Sequence, residues 1–137
     1  MVYHCTLERA QDGLFIASFP DLPSIQTFGE TKEEALIQAE NALNSCIETD
    51  VSRGILPSRP SYKGSDSYEI EVSPHIVVAI QLRELRGKTS QTEIAEKLNI
   101  TYQTYQNLEN PIKGNPTIKK LEKVAKAFGK SIQISFV

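Results

Sequence analysis

Hydrophobic and polar residues alternate along much of the first half of the chain, and a period of two residues is typical of half-buried β-strands. The run from Val2 to Glu8 alternates strictly, and a second apolar run follows the turn residues Asp12 and Gly13. Glycine after aspartate favours a tight hairpin, because glycine adopts the positive φ that such turns require. Alternation or short apolar runs predict four strands, at residues 2–8, 14–19, 24–28 and 68–72.

The hydrophobic period changes to 3.6 residues at Thr31, between the third and fourth predicted strands. Thr31 and Glu34 have the spacing of a capping box, in which a hydroxyl and a carboxylate satisfy backbone N–H groups near the start of a helix. Apolar residues then recur at helical spacing, at Ala35, Leu36, Ala39, Ala42, Leu43, Cys46 and Ile47. The pattern predicts one amphipathic helix that ends near Gly54 and packs on the sheet, so the first half is predicted as β-β-β-α-β.

Apolar residues at helical spacing, together with helix start and stop residues, predict four short helices in the second half of the chain. Pro74 suits the first turn of a helix that ends near Gly87. Ser90 and Thr101 are predicted to cap the N-termini of the next two helices. The segment Asn115-Pro116-Thr117 is predicted to start the last helix. Residues 131–137 alternate again and predict a terminal strand. The sequence therefore predicts an α+β protein, in which a β-β-β-α-β domain precedes an all-helical domain that carries a terminal strand.

Charge divides the chain in the same way. The formal net charge is only −2, but residues 1–73 carry five Lys or Arg against twelve Asp or Glu, a balance of −7. Residues 74–137 carry ten basic and five acidic residues, a balance of +5. Such an asymmetry predicts a basic domain that binds nucleic acid and an acidic domain that binds another partner. We set the predicted domain boundary there, giving domains 1–73 and 74–137.

Two short capped helices between Ser90 and Glu109 have the spacing of a helix-turn-helix. Ala95 is small where the two helices must cross closely, and Tyr105 and Leu108 are predicted to point inward. The polar residues on the outer surface of the two helices suit DNA. Gln and Asn side chains can pair with adenine, and Thr can contact thymine. A helix N-terminus or a lysine side chain can bind phosphate. The predicted DNA-binding residues are Gln91, Tyr102, Gln103, Thr104, Gln106, Asn107 and Lys113.

The run from Arg83 to Leu98, together with Leu108-Glu109 and Asn115-Pro116-Thr117, closely resembles the DNA-binding domain of the Cro/C1-type, or xenobiotic-response-element-like, repressors. The resemblance covers residues 76–129. Two features depart from the family pattern: Tyr105 stands where an aliphatic residue is usual, and residues 111–114 form an unusual connection.

The run Phe19-Pro20-Asp21-Leu22-Pro23, with the segments 28–36 and 39–43, resembles the N-terminal domain of HicB-type antitoxins, which has a partial RNase H-like fold. Ser24-Ile25 departs from the Gly-Cys that often follows the second proline. The resemblance implies an antitoxin that sequesters a small, basic, mRNA-cleaving HicA-like toxin and represses its own operon through the helix-turn-helix. It assigns no individual toxin-binding residue. The alternative is a one-component repressor whose N-terminal domain senses a small ligand.

Catalysis is not expected, although an RNase H-like sheet raises the question. Two-metal hydrolysis needs carboxylates that converge on the metal ions. Glu69 and Glu71 are instead predicted to face water, and Asp21 is predicted to cap a turn between its two prolines. The two histidines are predicted to be polar surface groups, and Cys5 and Cys46 to be buried hydrophobes. The sequence thus predicts no catalytic residue, no metal ligand and no cofactor.

The location and assembly of the protein follow from the same signals. The start of the chain lacks the layout of a signal peptide, and the longest apolar run, residues 76–80, is far shorter than the roughly 20 residues that span a bilayer. We therefore expect a cytoplasmic protein that does not bind membranes. A helix-turn-helix reads paired half-sites, so we expect a homodimer or a higher even oligomer, with residues 131–137 in the dimer contact.

Overall fold

A computed structural model of the chain describes all 137 residues and divides them into two compact units, Met1–Val77 and Val78–Val137. Up to residue 127 the elements follow the predicted order, and they confirm the α+β class. They are β1 (Val2–Arg9), β2 (Phe15–Ser18), β3 (Gln26–Gly29), α1 (Lys32–Ser52), β4 (Ser67–Glu71), α2 (Pro74–Arg86), α3 (Gln91–Leu98), α4 (Tyr102–Leu108) and α5 (Ile118–Ala127). None of the five helices combines the length and the apolar character that crossing a membrane requires.

The first unit is an antiparallel sheet with the strand order β3-β2-β1-β4, covered on one face by α1. Side chains of alternate strand positions point toward the helix, and Tyr3, Cys5 and Ala17 are fully buried. Every fourth residue of α1 is buried in return, at Ala35, Ala39, Leu43, Ile47 and Val51. Gly29 brings β3 close to α1, because a Cβ there would lie 2.5 Å from the backbone nitrogen of Ala35.

The two cysteines, Cys5 on β1 and Cys46 on α1, differ in exposure. Cys5 is buried as predicted, but the prediction for Cys46 is wrong, because its side chain is exposed. The buried residues of α1 recur every four residues from Ala35 to Val51, so Ile47 is buried and its neighbour Cys46 is not.

The predicted N-cap of α1 is present: the Thr31 hydroxyl accepts the Glu34 N–H at 3.1 Å.

Asp21 holds a long loop against the end of the sheet. Its carboxylate accepts the backbone N–H of Ser61 at 2.9 Å, the Ser61 hydroxyl at 2.8 Å and the N–H of Tyr62 at 3.0 Å. Hydrogen bonds from Ser61 and Tyr62 lower the pKa of the Asp21 carboxyl. Nearby, burial and the charge of Asp21 raise the pKa of Tyr3 to about 12. Asp21 therefore has a structural role, as expected, but it caps a segment 40 residues away rather than its own turn.

The second unit is a small helical core. Its buried residues come from several helices and are Leu82, Ile94, Ala95, Leu98, Tyr105, Leu108 and Val124. The predicted N-caps Ser90 and Thr101 are present, and Thr117 caps α5 in the same way. Each hydroxyl accepts the N–H of the residue three positions later.

The predicted terminal strand is absent. Residues 131–137 belong to no sheet, and Phe136 is fully exposed. A strand needs a neighbouring strand for its backbone hydrogen bonds, and the second unit contains only helices. The alternating pattern therefore describes a segment that has no partner within its own unit.

Candidate nucleic-acid interface

The helices α3 and α4 are joined by a turn of only three residues. Asn99 takes the left-handed conformation, with φ 54°, and its N–H bonds the Glu96 carbonyl at 3.1 Å. Asparagine tolerates that conformation better than most residues, because its short polar side chain bonds locally. Thr101 then begins α4 as its N-cap. The tight turn brings the two helices together at Ala95, which is buried as predicted.

The outside of α4 is polar. Tyr105 and Leu108 point into the core, while Tyr102, Gln103 and Gln106 are exposed. Thr104 and Asn107 are half-buried at the edge of that exposed face. The five α4 residues predicted to contact DNA therefore all lie outside the core.

Hydrogen bonds along α4 hold these side chains in position. The Gln103 amide donates to the Asn107 Oδ1 at 3.1 Å, and the Gln106 amide donates to the Tyr102 hydroxyl at 3.3 Å. Each pair is one helical turn apart, where side chains are neighbours. Because an amide has two N–H donors and a carbonyl acceptor, both amides of the Gln103–Asn107 pair keep groups that can bond a base. The arrangement limits the side-chain entropy that is lost when a ligand binds.

A buried ion pair fixes the position of α4 relative to the helices before it. The Arg86 Nε donates to the Glu109 Oε2 at 2.7 Å, and the Arg86 Nη2 donates to the Glu109 Oε1 at 3.0 Å. Arg86 Nη1 also donates to the Thr89 carbonyl at 2.9 Å. Such a two-point contact specifies direction as well as distance. It connects the end of α2, the residue before the α3 cap, and the end of α4.

Gln91, predicted to bind phosphate, belongs to the same network. Its amide nitrogen donates to the Glu109 Oε1 at 3.1 Å, and the residue is half-buried at the start of α3. The carboxylate thus orients the Gln91 side chain. The sequence patterns did not single out Glu109. Its partner Arg86 lies 23 residues away, and neither a helix nor a strand repeat relates two residues at that spacing.

Charge and burial set the protonation of this cluster. Burial raises the pKa of the Glu109 carboxyl, but Arg86, Tyr105 and Gln91 outweigh that effect and hold the pKa below its usual value. Burial and the neighbouring Glu109 carboxylate raise the pKa of Tyr105. The Tyr105 hydroxyl lies beside these charges without a hydrogen bond of good geometry. Tyr105 stands where the helix-turn-helix repressors usually have an aliphatic residue, and it therefore places a polar hydroxyl near the ion pair.

A groove of about 420 Å³ runs from α4 to the start of α5. It brings the predicted residues Thr104, Asn107 and Lys113 together with others that the sequence analysis had not selected as DNA-binding. Those others are Asn115, Thr117 and Lys120. Backbone N–H groups at a helix start and lysine side chains are both suited to phosphate.

Gly114 makes the unusual connection between α4 and α5 possible. A Cβ at this position would lie 2.3 Å from the Asn107 carbonyl oxygen, and the Gly114 N–H bonds the Asn110 carbonyl at 2.7 Å. Asn110 also accepts the N–H groups of Ile112 and Lys113 through its side chain. The connection is thus a compact, hydrogen-bonded turn that carries Lys113 beside α4.

The first unit contains no cluster of metal-binding side chains. No three His, Cys, Asp or Glu side chains are grouped so that they could hold a metal ion. Glu69 and Glu71 are exposed, as predicted. The His4 Nδ1 bonds the Ser67 hydroxyl at 2.8 Å, and the exposed His75 bonds Glu48 at 2.6 Å.

Comparison with known proteins matches both units. Residues 2–81 match the model of the HicB-like antitoxins of bacterial toxin–antitoxin systems. The chain belongs to the HicB-like antitoxin family. Residues 80–134 of this HicB-like chain also match a helix-turn-helix family, so both resemblances are confirmed.

Two of the relatives of this HicB-like chain carry the same family name, and a third has no assigned function. It is 30% identical to Antitoxin HicB 1 of Photorhabdus laumondii over 135 residues, which cover 98% of this chain and 86% of the relative. It is also 30% identical to Antitoxin HicB of Escherichia coli over 139 residues, which cover 100% of both chains. An uncharacterised 14.9 kDa protein of Haemophilus phage HP1 is 31% identical over 103 residues, covering 74% of this chain and 72% of the relative.

The ion pair leads to a stability prediction. Glu109→Gln leaves the largely shielded Arg86 guanidinium without a counter-charge, so we expect the free energy of unfolding to fall by about 2–4 kcal/mol in urea denaturation at neutral pH. Glu122→Gln, exposed on α5, is the matched control and is expected to change stability by less than about 0.5 kcal/mol. A Glu109→Gln variant as stable as the control would contradict the role given to the pair.

The same variant gives a pH signature. Because the pKa of Glu109 is lower in the folded than in the unfolded chain, its ionised form stabilises the fold above the unfolded-state pKa. That stabilisation is lost as the pH falls through the folded-state pKa. The stability difference between the wild type and Glu109→Gln should therefore narrow as the pH is lowered from neutral to about 3.

Proposed function

We propose that this chain is the antitoxin of a toxin–antitoxin pair. Residues 1–73 bind and inhibit a small, basic, HicA-like toxin that cleaves mRNA, and residues 74–137 bind the operator of the chain's own operon and repress it. Both activities take place in the cytoplasm. The observation that carries the proposal is the union, in one chain, of a HicB-like domain and a helix-turn-helix.

Charge supports the assignment of one partner to each domain. The balance of −7 in residues 1–73 attracts a protein whose own surface is built to bind RNA, and it repels DNA. The balance of +5 in residues 74–137 attracts DNA. Opposite signs therefore favour binding of each partner to its own domain and oppose binding to the other.

The geometry of α4 supports base recognition by its outer residues. In the proposal, Tyr102, Gln103, Thr104, Gln106 and Asn107 contact base edges in the major groove. Gln91 and Lys113 contact phosphate on either side of the helix. The groove between α4 and the start of α5 suits a further phosphate of the same strand.

A second copy of the chain completes the operator-binding species. One short recognition helix reads few base pairs, and two related by symmetry read half-sites about 34 Å apart. The unpaired segment 131–137 supports the proposal that the dimer contact lies there, because two such segments can supply one another's backbone hydrogen bonds.

Co-purification tests toxin binding. We expect the full-length tagged chain, co-expressed with the small basic protein encoded beside it, to retain that protein through a wash at physiological salt and to abolish its RNA cleavage. A chain that retains no protein, but gains thermal stability from a small metabolite, would instead support the ligand-sensing repressor.

Operator binding tests the recognition helix. We expect Gln103→Ala or Asn107→Ala to weaken binding to the operator by about 1–3 kcal/mol in fluorescence anisotropy, with little change on unrelated DNA. Gln38→Ala, on the exposed side of α1, is the control and should bind as the wild type does. Unchanged operator affinity in both α4 variants would show that another element reads the bases.

Salt dependence separates phosphate contacts from base contacts. Lys113→Ala should weaken operator and unrelated DNA alike, and should reduce the slope of log affinity against log salt by about one unit. Lys63→Ala removes an exposed lysine of the first unit and should leave the slope unchanged. A loss confined to the operator would contradict a phosphate role for Lys113.

The tail is tested by deletion. Removing residues 131–137 is expected to convert the dimer to a monomer in light scattering, because the contact proposed for the two chains is lost. The single change Ser131→Ala removes one exposed hydroxyl and should leave the dimer intact. A deletion variant that remains dimeric would refute the role of the tail.

A further inference from the structure

The sheet of the first unit has one face that α1 leaves uncovered, which we call the outer sheet face. Tyr3, Cys5 and Ala17 point toward α1, so the strand positions between them point the other way. Gly29 also faces α1, which turns its neighbour Phe28 outward. Six residues of the outer sheet face carry the argument, namely His4, Glu8, Ile16, Phe28, Glu69 and Glu71, and none of them is buried.

One end of the outer sheet face is apolar. Ile16 on β2 stands directly opposite Phe28 on β3, so the two side chains are neighbours. Phe28 is 63% exposed, which is unusual for phenylalanine in a sheet that has a core of its own. Ile16 is half-buried beside it. Adjacent apolar side chains that solvent can reach, with polar residues around them, mark interaction surfaces, whereas single ones do not.

The rest of the outer sheet face is acidic. Glu8 stands opposite Ile16 and next to the apolar pair. Glu71 and Glu69 stand on β4, opposite Val2 and His4. Among the four strands the only Lys or Arg is Arg9, and its guanidinium lies over the ring of Phe15, which faces the α1 side. The face therefore offers carboxylates that have no Lys or Arg beside them on the strands.

We infer that the outer sheet face is the surface on which the proposed antitoxin binds its basic toxin. This inference rests on the proposed function and gives it a location. Phe28 and Ile16 supply the desolvated contact, and Glu8, Glu69 and Glu71 pair with the cationic groups with which the toxin would otherwise bind RNA phosphates. The toxin is then held by the same positive surface that its substrate needs.

Other occupants suit this face less well. A second copy of the chain brings its own three carboxylates and no strand Lys or Arg to neutralise them. Nucleic acid is repelled by the same carboxylates. The exposed side of α1 is the competing site for the toxin, since Ile37 is 59% exposed there. Its neighbours one turn away, Glu33 and Asn41, are polar, so Ile37 is an isolated apolar residue rather than part of a patch.

Matched truncations on the two faces test the inference. Phe28→Ala and Ile37→Ala remove side chains of nearly equal exposure. We expect Phe28→Ala to weaken binding of the full-length chain to the small basic protein encoded beside it at least tenfold in biolayer interferometry, and Ile37→Ala to weaken it less than twofold. Operator affinity should be unchanged in both variants, and thermal unfolding followed by circular dichroism should verify that the first unit remains folded in each.

Charge reversal provides a second measurement that does not depend on the Phe28 variant's folding. The double change Glu69→Lys and Glu71→Lys is expected to weaken toxin binding more than tenfold, while Glu33→Lys and Glu40→Lys on α1 should have less effect. Toxin binding that survives both outer-face variants, or that is lost in the α1 variants instead, overturns the inference.

Two further outcomes are distinguishable. If the wild-type chain does not bind the basic protein at all, the proposed antitoxin function fails, and the inference fails with it. If Phe28→Ala changes the oligomeric state of the free chain in light scattering, the outer sheet face is a contact between copies, and the inference alone is overturned.

Discussion

The bidentate contact between Arg86 and Glu109 sets the orientation of α4 relative to α2 and α3. Glu109 is buried and Arg86 is largely shielded from water, so each charge is stabilised by the other rather than by solvent. The contact joins the end of α2 to the end of α4, and Gln91 and Thr89 tie the start of α3 into the same cluster. The exposed residues of α4 keep a fixed orientation because the residue that follows the helix is held in this way.

Local chemistry was readable from the sequence because it acts over three or four residues. The N-cap hydroxyls of Thr31, Ser90 and Thr101 lie where the spacing predicted them, and strand alternation identified the residues of the sheet that meet α1. Contacts between distant segments left no such pattern. Glu109 and Arg86 are 23 residues apart, and Asp21 and Ser61 are 40 apart.

The two errors of sequence reasoning have physical causes of the same kind. An alternating segment shows which side chains share a face, but a strand also needs a neighbour, and residues 131–137 have none in their unit. Cys46 is apolar and lies at helical spacing, yet the buried stripe of α1 is narrow enough to exclude it. For the candidate interface, the helical period predicted which α4 residues lie outside the core, while the groove near α5 required the turn at Gly114 to be known.

The unpaired segment 131–137 has a consequence for how the protein responds to its own abundance. If pairing of two segments creates the species that binds DNA, the amount of that species rises with the square of the free monomer concentration at low levels. Operator occupancy then changes more steeply than synthesis does. Seven residues with no partner in their own unit would in this way set a threshold for repression, without any added domain.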